Sequence, residues 1–511
     1  MLSKKKLIIF PTQRAIRNYL EKKKSLNTLL PTCLTIDDFL KKSIYLENKI
    51  YCDEEQRVLL LSEAIKDVDI KKLGISSSFT KFLTQSEYIY RFFLEISSEG
   101  IDINEIKTKD TYEFYGEHLA ILSEVLKNYK ELLDKNLFVD RLNLRENYRI
   151  NLEYLELFED ITIYFEGYFT KQEFEMILEI SKIKDLKINF FSNIYNQKSL
   201  QVFKNIDFEI KLDHIYTINL SKKEIISEIL LEKTNKNIEI KGFSSRLNQL
   251  SYIKSSIVNC VNFGINPNKI AVILPDESFA ATLELFDREN YFNFAMGKTI
   301  LNKNIYQKSN AIYNYILENE LKNIENIKFL NLDFEFIEKE IKPFWNKVCT
   351  KERFIQITDF LKNLEQNLEI LEKYDEIVYK LNFVLFSQNF NLKLKDIYKI
   401  FLQKLAKISL DDAHSGKITV MGLLETRLID FDAIIICDFN NSFIPKISLK
   451  DKFLSTKVKY LANLPTKIDR ENLQKYYYKR LIDSSKNIFI SYVESKEDDI
   501  SKFAYELFSD I

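Results

Sequence analysis

Phosphate chemistry in this 511-residue chain is limited by nine glycines: Gly74, Gly100, Gly116, Gly167, Gly242, Gly264, Gly297, Gly416 and Gly422. A nucleotide-cradling loop of the form G-x-x-x-x-G-K-[ST] needs two glycines five positions apart, so that backbone N–H groups can wrap the phosphates. No two of the nine have that spacing. Gly297-Lys298-Thr299 spells the last three positions, but Phe292 stands where the first glycine belongs and FNFAM precedes the second. The string IAVILPDE (270–277) looks like a strand delivering an Asp-Glu pair to magnesium. Pro275 interrupts it, and carboxylates in the first turn of a helix suit the macrodipole with no metal. A nuclease centre needs a distant acid plus E-x-K, so that carboxylates hold a metal and the lysine polarises water. EIK begins at Glu105, Glu209, Glu239 and Glu340, and four copies in a chain rich in those residues read as coincidence. Cys33, Cys52, Cys260, Cys349 and Cys437 include no C-x-x-C pair, which excludes zinc-ribbon spacing. Their scatter and odd number suit reduced thiols in a cytoplasmic protein. His118, His214 and His414 are isolated and read as structural or surface residues. No catalytic constellation, metal site or cofactor is expected.

The elements that would position any site are α/β in pattern. Apolar runs at 7–10, 161–165, 186–191, 238–241, 270–274, 418–421, 433–437 and 488–492 read as buried strands. Several are fully apolar, as in a parallel sheet covered on both faces. Helical periodicity occupies 54–66, 79–97, 113–133, 171–181, 246–261 and 277–290. The stretches 53–156 and 304–410 have almost no strand signal and read as helical insertions. The polar stretch KTNKN (233–237) is the best boundary. The expectation is two lobes, 1–235 and 236–511, each a sheet with one helical insertion. Glycine and proline together number 16, well below average usage, and the residues that replace them have A/T-rich codons. Net charge is −1, so any nucleic-acid binding comes from local patches. Four apolar residues follow the basic start, too few for a signal peptide, and no run suits a membrane span.

Two segments carry a resemblance. In KITVMGLLETRLIDFDAIIICDFNNSFIPK (417–446) a strand, a polar turn, a second strand and a proline-closed loop follow one another. This is similar to UvrD-type helicases, and it more closely resembles AddB, the second subunit of the AddAB helicase–nuclease. Gly422, Leu423, Glu425, Thr426, Arg427, Phe431 and Asp432 match that family's G-L-x-E-T-R-x-x-x-F-D signature. Asn440 and Pro445 match the following N-E-G-x-x-P, while Asn441 and Ser442 depart from it. In 270–301, Pro275 and Asp276 stand where an active UvrD-type enzyme has an arginine for nucleotide phosphates. The opening LIIFPTQRAIRNYL, the strings LPTCLTIDDFL and ITIYFEGYFTKQE, and the tail 469–492 also resemble the family. Pro11-Thr12-Gln13 replaces a glycine loop, and Glu166 sits alone where an active motor has its acidic pair. The last motif's arginine falls near Asp483, with Arg480 three residues earlier.

The resemblance implies two RecA-like lobes, an abandoned ATPase site, an AddA-like motor partner forming a heterodimer, and binding to single-stranded and duplex-end DNA. It also implies a C-terminal nuclease domain beyond the region covered here. Single-strand binding pairs cations with stacking aromatics. Arg427, Lys446, Lys298, Lys303 and Tyr306 are the candidates. The expected role is a non-motor, DNA-binding scaffold in double-strand-end repair. Two other readings compete: an ATP-driven helicase with unorthodox loops, and a helix-rich interaction protein unrelated to DNA.

Overall fold

A computed structural model describes residues 5–23, 30–76, 78–109, 116–232, 235–387, 391–410, 416–446, 453–496 and 498–508. Among these, two six-stranded sheets and two helical blocks account for most of the structure. The first sheet contains β1 (Lys5–Phe10), β2 (Thr32–Thr35), β3 (Phe158–Phe165), β4 (Asp185–Phe191), β5 (His214–Asn219) and β6 (Glu224–Leu230). Their order is β6-β5-β4-β3-β1-β2, parallel from β4 to β2 and antiparallel at β5 and β6. The second sheet contains β7 (Asn237–Phe243), β8 (Ile270–Leu274), β9 (Phe292–Phe294), β10 (Ile418–Gly422), β11 (Ala433–Ile436) and β12 (Asn487–Val493). Its order is β7-β12-β11-β8-β10-β9, and every pairing is parallel.

These are two RecA-like parallel-sheet lobes, each interrupted by helices. The fully apolar strings become the strands buried on both faces. β8 and β11 have no exposed residue, because helices cover the sheet on each side and every side chain must be apolar. Cores on the two faces of this sheet draw alternately from the same strands: Val272 and Ile435 on one, Ile273 and Ile434 on the other.

Four strands differ from the sequence expectation. β5 and β6 form an antiparallel hairpin whose outer strand is largely exposed, so its EIISEIL string lacks a buried-strand pattern. β2 is four half-buried residues, and β9 is only three residues long. The expected helix at 277–290 covers only Phe279–Leu285. There the Asp287 carboxylate accepts the Tyr291 and Phe292 N–H groups and turns the chain into β9.

The first helical block holds Glu54–Ala64, Phe79–Ser98, Ile103–Lys109 and Gly116–Lys135; the expected start of the last at 113 lies outside the described residues. The second holds Asn304–Leu317, Leu321–Phe329, Lys351–Lys362, Leu368–Ser387 and Leu394–Leu405. Each has its own apolar core. The blocks touch, since Leu59 of the first is buried in the core of the second. Phe453, Leu454, Val458, Ala462 and Leu464 in turn complete the core of the first block. No described helix is long and apolar enough to cross a membrane.

Candidate functional site

The carboxyl ends of β1 and β3 meet the second lobe in a cleft bridged by Glu166. In doubly wound sheets this is where ligands bind, at the strand ends. Glu166 follows β3 directly, is 6% exposed, and accepts the Leu428 N–H from the other lobe at 2.8 Å. Leu428 adopts a left-handed φ of 59°, which aims its amide at that carboxylate. The Arg480 Nε lies 4.0 Å from Glu166 Oε1, and its guanidinium stands 5.4 Å above Phe191 of β4. Burial pushes the Glu166 carboxyl up despite the nearby guanidinium. Arg480 comes from helix Lys467–Ser484. Asp483, where the family arginine was aligned, pairs with Lys479 on the same helix at 3.1 Å, so Arg480 is the side chain that reaches the cleft.

Arg427 sits beside this contact. Its Nε–H donates to the Leu424 carbonyl, and its guanidinium lies 5.9 Å from the Tyr477 ring. The remaining cavity is about 240 Å³, lined by Phe10, Pro11, Tyr164, Gly167, Arg427 and Tyr477 among others. A larger cavity of about 410 Å³ adjoins it, sharing Tyr168 and Glu173. Three regions wall this larger space: Tyr88, Arg91 and Phe92 from the first helical block, Tyr168 and Gln172 from the first lobe, and Phe453 and Arg470 from the C-terminal half. Phe92 and Phe453 meet edge to face at 5.6 Å. Tyr168 O–H donates to Glu99, whose carboxyl is pushed up by burial. Arg141 pairs with Asp37 at 2.9 Å at the wall. Gln172 is 7% exposed, and its side-chain N–H₂ has no hydrogen-bond partner.

In the cavity wall, Glu95 binds two cations of the second half. Lys459 Nζ lies 2.9 and 2.7 Å from its two oxygens, and Arg470 lies 2.9 Å away. Lys459 is 2% exposed, so this link between the first helical block and the C-terminal half is a desolvated one.

The glycine decoy has a structural explanation. Lys298–Thr299 form a short antiparallel pair with Ser409–Leu410 at the root of the second helical block. Gly297 has φ 71°, and a Cβ there would sit 2.7 Å from the Leu410 carbonyl oxygen. The glycine is required by that close approach, and no helix begins at Lys298. IAVIL is β8, and Asp276 beyond it pairs with Arg246 at 2.7 Å while Arg246 also holds Asp438. Asp438 is fully buried, in left-handed backbone at φ 51°, with Gln249 donating to it at 2.7 Å. The end of β8 therefore carries an internal charge network. Of the EIK glutamates, Glu340 pairs with Arg353 and Glu239 with Lys241.

The signature residues mostly hold the second lobe together. Gly422 ends β10, where a Cβ would meet the Glu277 carboxylate. Thr426 O–H donates to the Leu423 carbonyl, Phe431 is buried, and the Asp432 carbonyl accepts from Asn487 N–H. Asn440 is fully buried; its amide both donates to and accepts from Val493, fastening the loop to β12. Pro445 follows a cis peptide bond. Glu425 is half-buried.

The five DNA-binding candidates are spread over several regions. Arg427 is in the cleft. Lys446 is exposed, its backbone held by Gln474. Lys303 is exposed at the start of helix Asn304–Leu317, and Tyr306 packs half-buried against the second block's core. The Lys298 side chain lies outside the described residues, as does His414. Gln172 and the aromatic cavity were not found from sequence, because its walls are brought together from residues as far apart as Asp37 and Arg470. Among the described residues no group of three or more His, Cys, Asp or Glu could hold a metal.

No protein-family model matches the chain. It is 22% identical over 505 residues to an uncharacterized protein of Rickettsia bellii, covering 90% of this chain and 54% of that protein. It is 25% identical over 331 residues to RecC, a subunit of the RecBCD enzyme, from Buchnera aphidicola, covering 61% of this chain and 28% of RecC. The chain thus spans about half the length of the first relative and under a third of the second.

Proposed function

We propose that this chain is a non-motor scaffold subunit, of the AddB kind, in a helicase–nuclease that processes double-strand DNA ends for recombinational repair. The observation that carries this reading is the engagement of Glu166 by the second lobe. Phosphoryl transfer requires loop amides, a lysine, a magnesium-holding carboxylate and an arginine converging on a γ-phosphate. Here Pro11 stands at the end of β1, and Glu166 is engaged by Leu428 and faced by Arg480. The likeness to RecC, itself an enzyme subunit, supports membership of a multi-subunit assembly. ATP hydrolysis then belongs to an AddA-like partner motor.

The DNA-holding role rests on the 410 Å³ cavity. Tyr88 and Tyr168 offer ring faces to bases, the Gln172 amide offers a donor to a base edge, and Arg91, Arg141 and Arg470, each held by a carboxylate, reach a phosphate by exchanging that partner. Lys446 and Lys303 are exposed cations suited to carrying the strand further, and Arg427, Tyr306 and, from the sequence, Lys298 complete the proposed set. In this reading residues 1–235 and 236–511 are the two units, with insertions at 53–156 and 304–410, and the protein works in the cytoplasm. The test is an ATPase assay of the purified chain with single-stranded DNA. No turnover above background is expected. Turnover abolished by Lys298→Ala would overturn the reading.

A further inference from the structure

The two helical blocks are joined by six charges from segments more than 300 residues apart. Asp53, Glu54 and Glu55 begin helix Glu54–Ala64. Lys404 and Lys407 close helix Leu394–Leu405, and Lys380 projects from Leu368–Ser387. Lys404 lies 2.6 Å from Glu54 and 2.7 Å from Glu55, and Lys407 lies 2.8 Å from Glu54. Lys380 reaches Glu55 at 3.4 Å and Asp53 at 3.5 Å. Hydrogen bonds from the two lysines hold the Glu54 carboxyl down at about 2 against the opposing effect of burial.

Each half is also at home alone. Carboxylates at a helix N-terminus and lysines at a helix C-terminus are each favoured by their own macrodipole. Opening the contact therefore leaves the three carboxylates, Lys404 and Lys407 beside favourable helix ends, while Lys380, inside helix Leu368–Ser387, is kept hydrated by its own exposure. Lys407 and Lys380 keep about half or more of their side-chain surface in water, so an incoming anion can reach them without disrupting the core. Three ammonium groups on one block, masked by three carboxylates from the other, present a chemistry that phosphates can share.

We propose that Lys380, Lys404 and Lys407 form a phosphate-binding site for a DNA strand, masked in the free protein by Asp53, Glu54 and Glu55. This rests on the DNA-holding reading above. Binding exchanges carboxylate for phosphate on the same lysines and loosens the contact between the blocks.

The test uses a fluorescent oligothymidylate, with anisotropy measured across a salt series on wild type, Glu54→Gln and Lys407→Gln. Glu54→Gln removes the mask from Lys407, so binding tightens and the log–log salt slope steepens by about 0.7, the value for one phosphate on a single strand. Lys407→Gln weakens binding and flattens the slope by a similar amount. A purely structural contact would move both variants in the same direction. That result, or unchanged slopes in both, overturns the site while the scaffold reading stands. Absence of strand binding by wild type overturns both.

Discussion

Replacing Glu166 separates a structural carboxylate from a catalytic one. In Glu166→Ala the Leu428 N–H loses its acceptor, and an unsatisfied buried donor costs about 1–3 kcal/mol. Arg480 also loses its facing anion. Breaking a buried pair costs about 3–5 kcal/mol, but at 4.0 Å this pair belongs at or below the low end. Relief of the buried carboxylate offsets part of the sum, leaving a net loss of about 3 kcal/mol. Glu166→Gln keeps an acceptor for Leu428 and should lose only about 1 kcal/mol. The pH dependence has a definite sign. Because burial raises the folded-state value of Glu166, its contribution is fully present below the ordinary 4.5 and is lost as pH rises through the raised value. Wild type should therefore gain on the Gln variant as pH falls. Urea unfolding at several pH values reads both effects. An Ala variant as stable as wild type, or Ala and Gln variants that are alike, would refute the account of the cleft.

Other substitutions follow from the same geometry. Glu95→Gln should destabilise by about 3 kcal/mol in urea unfolding, because Lys459 is buried against that carboxylate. Ile435→Ala in β11 should lose about 2–5 kcal/mol and leave a cavity in the core on one face of the second sheet. Tyr88→Ala with Tyr168→Ala should weaken oligothymidylate binding by roughly tenfold or more, since a stacked base is worth about 1–3 kcal/mol. Acid should part the helical blocks: the Glu54 contribution is present above the ordinary 4.5 and lost as pH falls toward about 2. Solution scattering of wild type should then expand over that range more than Glu54→Gln does.

The sequence was most legible where burial was most complete. β8, β11 and β12 are apolar strings because both sheet faces are covered, so composition alone marks them. The capping box of helix Lys171–Ser181, Thr170 with Glu173, likewise sets that helix where its periodicity placed it. The β5–β6 hairpin escaped because an exposed outer strand is under no such constraint. The site was legible in part. The family resemblance picks out Glu166 in place of an acidic pair and Arg480 three residues from the expected arginine, both as marks of a lost nucleotide site. The partner of Glu166 is a backbone amide, which leaves no mark on residue type. The aromatic cavity and the six-charge contact depend on tertiary closure between segments more than 300 residues apart, such as Glu54 and Lys404, and local patterns carry no record of that.

The central claim is that this chain holds a DNA strand without driving it. Equilibrium binding of oligothymidylate, measured with and without magnesium ATP, tests it most directly. The account predicts an affinity that falls with rising salt and is the same in both conditions. An affinity that shifts with ATP, or no binding at all, would contradict it.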